Sequence, residues 1–194
     1  MRRNYRISDL VAYINWVYFY HAWSVPPTSD EGLRLHGEAQ KMLGALQPYL
    51  TVKAVVEIMP AWSEGDDIVV QPVRPCDCGQ SHPCGAPVRL PMLRQQTPDA
   101  RGECLCLSDF VRPKTSLKQD HIGVFATSVS IDVKKTYPDD NYKQMLLQTL
   151  ADRLAEAAAE RLHEEVRKSI WGYAPDEHLS IDQLHQARYQ GIRP

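Results

Sequence analysis

Charge of one sign is what this sequence most visibly lacks: 22 Lys and Arg stand against 24 Asp and Glu, a formal net charge of -2 over 194 residues. That balance offers no basic footprint for nucleic acid or an anionic membrane. Long apolar runs are missing too. Arg2 and Arg3 precede an apolar stretch, but Asp9, Asn15 and His21 interrupt it and no small-residue cleavage site follows. Neither a signal peptide nor a membrane span is predicted, and cytoplasm is the expected compartment. No Gly-rich phosphate loop, internal repeat or low-complexity linker occurs, so a single domain over 1–194 is expected. His21, His36, His121, His163, His178 and His185 fall into no spacing that pairs a nucleophile with a base, so solvated or core-satisfied histidines are expected rather than a catalytic triad. Five cysteines is an odd number, with three of them inside nine residues. That suits thiols in a reducing compartment better than a secreted disulfide framework.

What is present is a long amphipathic helix near the end of the chain. Asp139 and Asp140 follow Pro138 and can cap a first turn, where negative charge also suits the helix dipole. Leu146, Leu150, Leu154, Ala158, Leu162, Val166 and Ile170 then recur every fourth residue. Such a stripe drifts by about 40° per step around a 3.6-residue helix, so this helix crosses its neighbours obliquely. Glu164 stands four residues before Lys168, Arg167 and Lys168 suit the C-terminal end, and Gly172 reads as the stop. Most of these charges read as a solvated face.

Earlier in the chain, Ser8-Asp9 can cap a short helix through Leu10, Val11 and Tyr13, and Trp16, Tyr18, Phe19, Tyr20 and Trp23 promise buried aromatic area. The stretch from Pro26 to Asp30 reads as a turn and cap before a second helix, marked by Leu33, Leu35, Ala39, Met42, Leu43 and Leu46 and ending before Pro48. Val52 to Ile58 and Ile68 to Val70 read as strands of a hairpin turning at Gly65-Asp66-Asp67. A connection that short cannot carry a parallel crossover. An α+β fold with an antiparallel sheet flanked by long helices follows. Adjacent strand residues point to opposite faces, so Asp66 and Asp67 read as turn residues rather than a metal pair.

Two cysteine groups need separate readings. Cys104 and Cys106 alternate as on one strand face and read as small packed hydrophobes. Cys76, Cys78, His82 and Cys84, interleaved with Gly and Pro, could wrap a tetrahedral zinc as a Cys₃His set. The tight Cys-x-Cys is not a standard finger spacing, so a flexible reduced loop stands beside the zinc reading.

The run ADRLAEAAAERLHEEVRKSIWGYAP, followed by a spacer and YQGIRP, resembles the C-terminal activation domain of cobalamin-dependent methionine synthase. Tyr13-Ile14-Asn15-Trp16, Gly65-Asp66-Asp67-Ile68, Leu93-Arg94-Gln95-Gln96, Cys106 to Lys114 and His121 to Thr127 also match that family's segments, so the likeness spans nearly the whole chain. The resemblance implies a domain that binds S-adenosylmethionine and presents its methyl to a cobalamin carried by a partner domain, restoring cob(II)alamin to methylcobalamin with an electron from a flavodoxin-type donor. It is not expected to be an independent catalyst. It also implies ligand contacts from Glu156, from Arg193 and from Asn15, which stands where the family has Asp; a further family acid corresponds to Ala187. In the family a Gly-Tyr-Pro-containing continuation follows Arg-Pro, whereas this sequence stops at Pro194. The expectation is an activation domain incomplete at its C-terminal end, with weakened affinity. The alternative is a non-catalytic docking or zinc-stapled module that keeps the fold without the ligand.

Overall fold

Strands and helices follow one another in blocks rather than in a βαβ rhythm in the computed structural model, which describes residues 1–75, 81–83 and 85–191. Strand β1 (Arg2–Arg6) runs into helix α1 (Ile7–Leu10), a 3₁₀ turn (Val11–Tyr13), α2 (Trp16–Trp23) and α3 (Asp30–Leu46). Strands β2 (Thr51–Glu64), β3 (Asp67–Val70), β4 (Val73–Pro75), β5 (Ser81–Pro83) and β6 (Val88–Pro91) come next, then a 3₁₀ turn (Leu107–Phe110) and β7 (Asp120–Val129). Helices α4 (Val133–Thr136) and α5 (Asn141–Glu165), a π-helical turn (Val166–Ile170) and α6 (Ile181–His185) complete the order. The pairs β1–β2, β2–β3, β3–β6 and β4–β5 are all antiparallel, and β7 pairs β2. The architecture is the α+β class that the sequence predicts. No helix among the described residues is long and apolar enough to cross a membrane.

The chain forms two compact units, one from Met1–Val55 with Phe125–Gly191, the other from Val56–Val124. In the first, Asp140 caps α5 by accepting from the backbone N–H of Lys143. The predicted stripe is buried at Leu146, Leu150, Leu154, Ala158, Leu162 and Val166. Each buried Leu there is worth about 1.5–3 kcal/mol, so the stripe holds this helix in place more firmly than its intrinsic propensity does. Ser29 caps α3 by accepting from Gly32. At Gly32 a Cβ would lie 2.3 Å from the Pro26 carbonyl oxygen, so the helix start sits directly under the Pro26-Pro27 turn.

Three readings of this unit need correction. Helix α1 begins at Ile7 with Arg6 as its N-cap, so Ser8-Asp9 lies inside the first turn; Asp9 contributes to the cap from the third position, accepting from the backbone N–H and guanidinium of Arg6. Leu33 and Tyr18 face solvent, at 62% and 56% exposure, because the apolar faces of α3 and α2 are filled by Leu35, Ala39, Met42 and by Phe19 and Tyr20. Arg167 is fully buried rather than on a solvated face, since Glu177 neutralises it. The sequence pattern assigns no element to Arg2–Arg6, which forms strand β1, in register from Arg2↔Val55 to Arg6↔Thr51, with Arg3 paired to Glu165.

In the second unit the β2–β3 hairpin turns at Gly65-Asp66, with Glu64 opposite Asp67 and Gly65 at φ 63°. Positive φ at the first central residue alone is the type II′ pattern, which glycine adopts without steric cost. Ala61, Ile68 and Val70 form its core, covered by Met59, Leu90, Met92, Leu107, Val111 and Ile122. The two turn acids diverge. Asp66 pairs with Arg94, which also grips Asp109 and the Cys104 carbonyl, while Asp67 pairs with Arg89. Cys104 and Cys106 are not on a strand: Cys106 caps the Leu107–Phe110 turn, is buried, and directs its Sγ to the Asp66 carbonyl at 3.6 Å. Cys76, Cys78 and Cys84 and the side chain of His82 lie outside the described residues; the flanking backbone pairs Pro75 with Ser81 and Arg74 with His82.

Candidate ligand site

Asn15 ends an extended residue and opens α2, its Oδ1 accepting the Val17 backbone N–H at 3.2 Å. Its side chain therefore has a local task that a carboxylate at the same position would also perform. One turn on, Phe19 and Tyr20 point into the core, and the Tyr20 hydroxyl meets His36 Nδ1 at 3.0 Å. Val17 and Tyr18 point outwards.

Arg153 of α5 sets its guanidinium 5.8 Å from the Tyr18 ring centroid and forks onto Glu156, with Nη1–Oε2 and Nη2–Oε1 distances of 2.7 and 2.9 Å. Its side chain is only 16% exposed, whereas that of Glu156 is 58% exposed. The Arg153 Nε is buried without a hydrogen-bond partner. A planar cation between an aromatic face and a carboxylate fixes that carboxylate's orientation. The fork occupies one lone pair on each oxygen and leaves the others to solvent, so Glu156 can still accept from a cationic or N–H-bearing ligand. Asn15 and Glu156 are thus linked through intermediates: Asn15 caps the helix that carries Tyr18, Tyr18 covers Arg153, and Arg153 holds Glu156. Arg193 lies outside the described residues. Ala187, where the resemblance puts a family acid, has φ 54°, an uncommon left-handed conformation for a residue with a Cβ.

Sequence reasoning missed a second constellation at the end of α5. The Arg167 guanidinium, fully buried, makes contacts to both Glu177 oxygens, at 2.6 Å from Nη2 and 2.8 Å from Nε, and donates from Nη1 to His163 Nδ1 at 2.8 Å. An arginine can only donate, so His163 accepts there as a neutral imidazole with its proton on Nε2. The Tyr189 ring lies 4.4 Å from the guanidinium carbon and meets the His163 ring edge-on at 4.8 Å. The i,i+4 spacing of His163 and Arg167 was the one available signal, and it does not reveal which basic residue turns inward.

A third cluster ties the Val11–Tyr13 turn to the same helix. The Tyr13 hydroxyl donates to Glu164 and accepts from Arg161 at 2.7 Å, while His185 Nε2 donates to the Tyr13 carbonyl at 3.2 Å. Burial and the Glu164 carboxylate push the Tyr13 hydroxyl above its ordinary pKa. Burial alone would raise the Glu164 carboxyl, but bonds from Tyr13 and Lys168 hold it below its ordinary value. The predicted Glu164–Lys168 pair is present at 3.4 Å.

The family model described as vitamin B12 dependent methionine synthase, activation domain, matches residues 6–194. A crystal structure of the MetH reactivation domain bound to AdoHcy is similar to this chain with a TM-score of 0.83 and 37% sequence identity. The likeness covers 100% of this chain, which spans 63% of that chain's length.

Proposed function

This chain belongs to the activation-domain family of vitamin B12 dependent methionine synthase, and from that membership we infer that it binds S-adenosylmethionine to support reactivation of the cobalamin enzyme. The observation that carries this reading is the 37% identity, over the full chain, to a reactivation domain bound to AdoHcy. When bound, S-adenosylmethionine supplies an already activated methyl group, so the chain's own task is to hold and orient rather than to exchange protons. The residues present fit that task. Glu156 offers an exposed carboxylate fixed by Arg153, able to take a cationic or N–H-bearing group. Tyr18 offers an exposed aromatic face beside it, and Asn15, at the head of the same helix, offers a side-chain amide. Arg193 is carried in this proposal as a fourth contact.

The proposed partners are the cobalamin-bearing domain of the synthase and a flavodoxin-type electron donor, in a reducing cytoplasm that leaves Cys104 and Cys106 as thiols. Calorimetric titration with S-adenosylmethionine tests the ligand. Glu156→Gln exchanges a charged acceptor for a neutral one and should weaken binding by about 1 kcal/mol, roughly fivefold. Heat of binding unaffected by Glu156→Gln would remove Glu156 from the site, and no uptake at millimolar ligand would defeat the reading.

A zinc staple is a separate proposal, supported by the Cys₃His composition and by the β4–β5 pairing that flanks the Cys-x-Cys. Purified chain should then retain about one zinc through dialysis. Metal-free protein with unchanged protease resistance would end that proposal.

A further inference from the structure

We propose that Arg167 is a positioning residue for ligand binding, fixing the segment Ala174–Gly191 against the end of α5. This deepens the reading above and rests on it for the identity of the ligand.

Between Gly172 and Gly191 the only helix is the five-residue α6. Three points of this segment hang on Arg167. Its carbonyl accepts from the Ala174 N–H at 2.9 Å, its fork takes both oxygens of Glu177, and its face lies against the Tyr189 ring. The remaining Nη1 is spent on His163, whose own ring packs on Tyr189, so the guanidinium plane cannot turn without breaking several contacts at once. Two residues beyond Tyr189, Gly191 has φ 101° and a Cβ there would fall 2.8 Å from the Tyr173 hydroxyl. Glycine alone tolerates that backbone and that approach, so the chain at Gly191 is held to one conformation. Desolvating an arginine and a glutamate is expensive, and an apolar pair of similar volume often matches such an ion pair in stability. The planar, multidentate geometry of Arg is what an apolar pair cannot supply, and Lys cannot either.

The test is hydrogen exchange read by mass spectrometry, alongside AdoHcy titration, on the full chain, on Arg167→Lys, which keeps the charge and removes the planar fork, and, as control, on Lys168→Met. Arg167→Lys should exchange faster across residues 173–191 while the amides of Leu146 to Leu162 keep their protection. AdoHcy affinity should fall about tenfold, about 1.4 kcal/mol. Lys168→Met should change neither. Unchanged exchange across 173–191 in Arg167→Lys would overturn the proposal, and so would an equal loss of protection in α5, because the effect would then be global destabilisation. Failure of the unsubstituted chain to take up AdoHcy would instead overturn the reading of function, while the exchange pattern would still decide whether Arg167 positions the segment.

Discussion

Asn15 caps α2 and is proposed to meet the ligand, and substituting it tells the two roles apart. The structure gives it one measurable task, the cap bond to Val17 at 3.2 Å. Asn15→Ala deletes that bond and should cost about 1 kcal/mol, within a range of about 0.5–2 kcal/mol for such caps. In a domain of this size that lowers the melting temperature by about 2–4 °C. Asn15→Asp keeps an acceptor at the cap and adds a negative charge at the helix N-terminus, worth about 0.3–1 kcal/mol in stability. If the same side chain meets the ligand, the carboxylate should also strengthen binding. Hydrogen bonds to charged groups contribute about 1.5–3 kcal/mol against about 0.5–1.5 kcal/mol for neutral ones. The net gain of about 1 kcal/mol corresponds to roughly fivefold tighter S-adenosylmethionine. Urea unfolding followed by circular dichroism reads the first effect and calorimetry the second. An Asn15→Asp chain that is more stable but binds no tighter would show that position 15 caps α2 and nothing more. An Asn15→Ala chain of unchanged stability would refute the cap argument itself.

Other substitutions probe the scaffold. Glu177→Gln leaves the buried Arg167 charge without its counter-ion and should cost about 3–5 kcal/mol in urea unfolding, whereas Lys168→Gln, at the surface, should cost at most about 0.5 kcal/mol. In α3, Gly32→Ala drives a Cβ into the Pro26 carbonyl and should destabilise by about 1–3 kcal/mol, while Gly37→Ala meets nothing within 4 Å and should stabilise by about 0.5–1 kcal/mol. Asp109 is held at about 2, against an ordinary 3.8, by the Arg94 guanidinium and the Cys106 backbone N–H. A carboxyl depressed in the folded state stabilises above its unfolded pKa, so this contribution should be complete above about pH 4 and fade as pH falls towards 2. Unfolding measured across that window should show a shallower fall for Asp109→Asn.

The elements legible in the sequence were those whose causes are local. The stripe from Leu146 to Val166, the Ser29 cap, the Asp140 cap and the Gly65 turn each depend on residues within a few positions of one another, and each is where the pattern put it. Distant causes were not legible. Arg167 is buried because Glu177 and Tyr189, 10 and 22 positions away, close over it, and no periodicity announces that. Strand β1 forms because Thr51 to Val55 lie alongside it, and Tyr18 stays outside because Phe19 and Tyr20 fill the inner face of an eight-residue helix. The candidate site divides the same way. Glu156 came from the likeness of its helix to a family segment, not from its own spacing. The Arg153 fork onto Glu156 is an i,i+3 pair within α5 whose spacing is visible in the sequence, whereas the Tyr18 ring beside it belongs to the meeting of α2 and α5 and had no trace in either stretch.

The central claim is that an S-adenosyl ligand meets the head of α2 and the Arg153–Glu156 fork. Amide chemical shifts mapped during AdoHcy titration of the isotopically labelled chain test it even at weak affinity. The account predicts shifts concentrated at Asn15 to Tyr18, at Arg153 to Glu156 and at Tyr189 to Gly191, reduced by Glu156→Gln. Shifts absent from the first two stretches at saturating ligand, or a pattern indifferent to Glu156→Gln, would contradict it.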